Sequence, residues 1–97
     1  MNIKINAVGF SASTKLEEFI QKKFSKFDRF SDDILGIVVM LKLEKDDNLE
    51  NKVVEVSLNV VGQDVFAKKN AKTFEGAVDG LVDVISRKLV KIKEKNK

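Results

Sequence analysis

Polar and apolar residues alternate over residues 2–8, with Ile3, Ile5 and Ala7 on one side and Asn2, Lys4 and Asn6 on the other. That period of two predicts a half-buried strand. Residues 9–13 break the pattern, and Thr14 followed by Glu17 is a capping-box signal for a helix start. From Lys15 to about Arg29, Leu16, Phe19, Ile20, Phe24 and Phe27 recur three and four apart, which defines the buried stripe of a helix of about four turns. After the polar Ser31-Asp32-Asp33, Ile37, Val39, Leu41 and Leu43 alternate with Val38, Met40, Lys42 and Glu44 as a long strand. A polar, acidic connection over 45–51 leads to a third strand, in which Val54, Val56, Leu58 and Val60 alternate with Glu55, Ser57 and Asn59. Gly62-Gln63-Asp64 turns the chain into a fourth strand over about 65–69. Phe74, Ala77, Val78, Leu81, Ile85, Leu89 and Ile92 then follow the helical period for about five turns, with Gly76 and Gly80 as weak points.

The order β-α-β-β-β-α predicts an α+β fold. A right-handed crossover makes the first two strands parallel, and the short hairpins make the remaining pairs antiparallel. Both helices then follow strands of the same sense and lie side by side, roughly parallel, on one face of a four-stranded sheet. The layout resembles a double-stranded RNA-binding domain. One domain over residues 1–97 is expected, closing on a basic tail at about 93–97.

Composition closes off much chemistry. The 97 residues include no His, Cys, Trp, Tyr or Pro, so there is no imidazole base or ligand, no thiolate nucleophile and no disulfide. The acid pairs Asp32-Asp33 and Asp46-Asp47 read as solvated turn residues, without EF-hand spacing. The expectation is a protein that is no enzyme and needs no cofactor or metal. An alternating N-terminus is no signal peptide, and no segment approaches membrane-spanning length, which points to the cytoplasm.

Charge is more informative than its net +3. Residues 15–29 carry five basic and three acidic groups, residues 30–64 three and eight, and residues 65–97 nine and four. Blocks of this kind fit a polyanionic partner or a merely solvated surface. Helix geometry sharpens the choice. At about 100° per residue, Lys15, Lys22, Lys26 and Arg29 share one flank of the first helix, and Arg87, Lys88, Lys91 and Lys95 share one flank of the last, opposed there by Glu75, Asp79 and Asp83. Lys23 lies near the apolar stripe and must snorkel out along its stem. With parallel helices, one basic flank turns toward the groove between them and the other away. A continuous patch is therefore expected at their C-terminal ends, around Lys26, Arg29, Arg87, Lys91 and the tail.

Two resemblances bear on the partner. Lys68-Lys69-Asn70-Ala71-Lys72 resembles the KKxAK signature of double-stranded RNA-binding domains, which supports a duplex-RNA module using Lys68, Lys69 and Lys72. The longer match covers essentially the whole chain. Residues 23–30, Lys-Phe-Ser-Lys-Phe-Asp-Arg-Phe, resemble the first-helix segment of the short ribosome hibernation-promoting factors and ribosome-associated inhibitors, also called sigma-54 modulation or ribosomal subunit interface proteins. Residues 74–83 and 85–93 look like that family's second helix, and residues 39–44 like its second strand. The resemblance implies a translation inhibitor made under stress or in stationary phase. It would bind ribosomal RNA of the small ribosomal subunit in the mRNA and tRNA channel, with ribosomal proteins as further partners there, using no DNA and no membrane, and would be a monomer when free. By position it implicates Lys23, Lys26, Arg29, Arg87, Lys91 and Lys93, and helix geometry adds Lys22 and Lys88. The chain departs from the family at Lys72-Thr73-Phe74, where Asp-Met-Tyr is frequent and an acidic cap is lost, and at Val84, where Lys is common. A third reading is a protein-interaction module using the open sheet face around Val38, Met40 and Phe66.

Overall fold

The N-terminal alternation becomes strand β1 (Asn2–Ala7) in the computed structural model, which describes residues 2–29, 33–44 and 50–95, the side chains of Lys93 and Lys95 excepted. There follow helix α1 (Thr14–Phe24), a 3-10 turn (Ser25–Arg29), β2 (Ile34–Leu43), β3 (Lys52–Val60), β4 (Val65–Ala71) and helix α2 (Phe74–Lys95). The expected break at Ser31-Asp32, the connection over 45–49 and the end of the basic tail lie outside the described residues.

The sheet has the order β1-β2-β3-β4, with β1 parallel to β2 and the other pairs antiparallel, as the crossover and hairpins require. Both helices cover one face of it. Leu16, Ile20, Phe24 and Phe27 from the first arm, and Ala77, Val78, Leu81 and Ile85 from α2, close on Ile37, Val39, Leu41, Val54, Val56 and Leu58. α2 lies against β4 and β3, while α1 lies against α2 and β1.

Strand β2 starts before the expected alternation. Ile34 and Ile37 are both buried although three apart, and a register irregularity between Ile34 and Gly36 reconciles them with a period of two. Between β3 and β4, the Gln63 N–H donates to the Val60 carbonyl at 3.1 Å and Gly62 has φ +86°. No non-glycine residue among those described has positive φ, so this is a type II turn, whose third position requires glycine.

The helix caps differ from expectation. Ser13, not Thr14, caps α1: its backbone is extended and its Oγ accepts from the Leu16 N–H at 3.1 Å, while Thr14 is already helical. An N-cap oxygen must sit outside the helix to reach back to a free N–H, which selects the earlier hydroxyl. At α2 the missing acidic cap is replaced by Thr73, whose Oγ1 accepts from the Gly76 N–H at 3.0 Å.

The first helix also ends sooner than its periodicity implied. At Ser25 the backbone turns toward 3-10 geometry, φ −64° and ψ −17°, and the Ser25 hydroxyl donates to the Lys22 carbonyl at 3.0 Å. Five residues of 3-10 structure follow, with Phe27 fully buried.

Candidate nucleic-acid interface

The change of helix type decides where the first basic group stands. In a 3-10 helix residues three apart eclipse one another, so Lys26 and Arg29 share one exposed line while Phe27 falls beneath Phe24. The two rings stack with centroids 5.7 Å apart and planes 20° from parallel. Lys22 is exposed on the preceding turn. Among the described residues, Lys22, Lys26 and Arg29 have no ion-pair partner.

Lys23 is placed differently. Its Nζ lies 3.3 Å from Asp79 Oδ1 on α2 and 5.4 Å from the centroid of the Phe19 ring, and its side chain is only 31% exposed. Snorkelling was legible in the sequence, but its destination was not: the ammonium ties the two helices together. The contact also shows that the acidic flank of α2 faces α1.

The basic flank of α2 consequently turns the other way. Lys88 Nζ donates to the Phe66 carbonyl on the outer edge of β4 at 2.8 Å. Lys88, Lys91 and Ile92 line a shallow groove with Gln63, Asp64 and Phe66. Arg87 and Lys91 are exposed, and among the described residues neither has an ion-pair partner. The helix-bearing side thus carries two cationic ridges, one on the α1 arm and one along the outside of α2, separated by Glu75, Asp79 and Asp83. The side chain of Lys93 lies outside the described residues.

Within the KKxAK-like stretch, Lys68 and Lys69 point to opposite sides of the sheet. Lys68 and Lys69 belong to β4, where successive side chains point to opposite faces. Lys68 lies on the open face with its Nζ 3.9 Å from Glu44, whereas Lys69 crosses to the helix side at Gly80. The open face also holds a Lys42–Glu55 ion pair at 3.1 Å and an Asn70–Glu44 hydrogen bond at 3.2 Å. Phe66 is 55% exposed there.

Sequence reasoning missed Phe10, which stacks on Phe74 at 5.3 Å and fixes the approach to α1 against the start of α2. It also missed Asp79 as a partner, although opposed charge on facing helix flanks was the available signal. No helix among the described residues is long and apolar enough to cross a membrane.

A four-stranded α+β layer with cations gathered on its helical side defines a small protein suited to a polyanionic surface. The chain belongs to the sigma 54 modulation protein / S30EA ribosomal protein family, whose model matches residues 3–97. It is similar to the ribosome hibernation promoting factors of Escherichia coli K12, at 31% identity, and Klebsiella oxytoca, at 30%, each over 97 residues that cover 100% of this chain and 98% of the relative. The fold is shared with a ribosomal subunit interface protein from Coxiella burnetii (TM-score 0.83, 24% identity, covering 97% of this chain and 99% of that one). It is also shared with the N-terminal domain of Thermus thermophilus Protein Y (TM-score 0.82, 22% identity, 95% and 99% covered).

Proposed function

We propose that this protein is a ribosome hibernation factor that binds the small ribosomal subunit in the channel otherwise taken by mRNA and tRNA, and so blocks translation under stress or in stationary phase. The observation that carries this reading is the end-to-end similarity to ribosome hibernation promoting factors. Physical chemistry supports it. A rigid domain with cationic ridges can hold RNA phosphates through charge-assisted hydrogen bonds without reading bases. Inhibition by occupancy needs no reactive group, and this chain has neither His nor Cys.

Within this reading, Lys22, Lys26, Arg29, Arg87, Lys91 and Lys93 contact ribosomal RNA. Lys23 and Lys88 each spend one donor inside the protein and offer RNA the remainder. Binding through about six phosphates weakens about a thousandfold between roughly 50 and 200 mM salt, by the counterion-release rule. The test is co-sedimentation with purified ribosomal subunits across such a series, together with cell-free translation. Retention on the small subunit with steep salt dependence is expected. The variant reversing Lys26, Arg29, Arg87 and Lys91 to Glu should stay folded and lose inhibition. Retention on the large subunit alone, or on neither, defeats the proposal.

A further inference from the structure

Glycine inside a helix lowers stability relative to alanine, and α2 contains two, Gly76 and Gly80, four residues apart on the side facing β4. Gly76 has a packing reason: a Cβ there would stand 3.1 Å from the capping Thr73 Oγ1 and 3.7 Å from Ala71 Cβ. Gly80 is another matter. The three atoms nearest to a Cβ at this position all belong to Lys69, whose Cδ and Cε occupy the space a side chain would need, with Nζ 3.1 Å away. Gly80 is a saddle over which a lysine stem crosses the helix.

The crossing delivers the ammonium to a particular line. Arg87 and Lys91 follow Gly80 by seven and eleven residues, which places both within about 20° of it around the helix. Lys88 lies alongside, tied to the β4 edge through the Phe66 carbonyl. Among the described residues Lys69 has no ion-pair partner. Asp83 and Glu94 border the line on the side toward α1. From Gly80 to Lys91 the row runs about 16 Å.

We propose that this row is a phosphate track for one strand of RNA backbone, separate from the α1 ridge, with Lys69 as a binding residue and Gly80 as the positioning residue that lays it in place. The track rests on the proposed function, since the RNA is that of the small subunit. It gives Lys69 a part in binding through the helix side, independent of any joint action with Lys68 and Lys72.

Gly80→Ala tests it. The displaced atoms are the far end of a flexible side chain, so Lys69 swings away easily while the helix gains an alanine. Unfolding should shift to higher denaturant. Binding to purified small subunits should weaken, with a salt slope shallower by about one, or about fourfold in affinity over a fourfold change in salt. Lys69→Ala should lose the same amount, Lys69→Arg should retain most of it, and the Gly80→Ala, Lys69→Ala double variant should be no weaker than either single. Wild-type affinity and slope in Gly80→Ala, or losses that multiply in the double variant, overturn the track while the proposed function stands. Failure of the wild-type protein to bind small subunits overturns both.

Discussion

Lys23 is among the residues proposed to face RNA, yet its ammonium is engaged with Asp79, and the two roles separate in a double-mutant cycle. The pair is 3.3 Å apart with side chains 31% and 58% exposed, a setting in which ion pairs contribute about 0.2–1 kcal/mol. The same ammonium lies 5.4 Å from the Phe19 ring centroid, an interaction of about 0.5–1 kcal/mol at exposed sites. Asp79→Ala removes only the pair and should cost about 0.5 kcal/mol. Lys23→Ala removes pair, ring contact and stem packing, and should cost about 1–2 kcal/mol. In a domain of this size 1 kcal/mol moves Tm by about 4–8 °C, so Asp79→Ala should melt about 2–4 °C lower. Urea denaturation of wild type, both singles and the double variant gives a coupling energy of about 0.5 kcal/mol. Repetition in 1 M NaCl, where the Debye length is about 3 Å, should bring it close to zero. Binding to small subunits should move the other way in Asp79→Ala, because a carboxylate leaves the helical side and Lys23 is released to RNA. A coupling above about 2 kcal/mol, a coupling that survives 1 M salt, or weaker binding in Asp79→Ala would refute the reasoning.

The remaining expectations concern the elements that present the ridges. Ser13→Ala should cost about 1 kcal/mol and Thr14→Ala less than about 0.5, because only Ser13 supplies the capping oxygen; equal losses in equilibrium denaturation would return the cap to Thr14. Phe27→Ala, at a fully buried and stacked ring, should cost about 3–5 kcal/mol, a large part of the roughly 5–15 kcal/mol available to a small domain. A loss under about 1 kcal/mol would show that Phe27 does not close the core.

Element order, strand sense and the buried faces were legible because period two and period 3.6 leave different traces in Ile3-Lys4-Ile5 and in Leu16, Ile20 and Phe24. What the sequence left open has definite causes. Phe24 and Phe27 are three apart, a spacing that α and 3-10 geometry both accept, so the end of the first helix could not be placed. Ser13 and Thr14 are adjacent hydroxyls, and only backbone geometry decides which one caps. Alternation of Val65 and Ala67 pointed to a strand, but reading Lys68 and Lys69 as one motif passed over its consequence that they face apart. The basic flanks came from helical geometry, whereas the Lys23–Asp79 and Lys88–Phe66 ties join residues 56 and 22 positions apart and depend on how the layers pack.

The 3-10 turn joins folding to binding at one point. Had α1 continued to Arg29 as an α-helix, residues three apart would be offset by about 60°. Phe27 would still share a face with Phe24, and Lys26 with Arg29, but neither pair would stand in line. Tightening the helix eclipses both pairs at once, so the geometry that buries Phe27 over the core also aligns two exposed cations. A substitution at Phe27 should consequently be felt in RNA binding although the ring touches no RNA, with stability and affinity falling together. At Asp79 they part company, because that carboxylate stabilises the helix pair and opposes the polyanion. The contrast follows from position alone: one residue shapes the ridge from below, while the other competes for its charge with the RNA proposed to bind there.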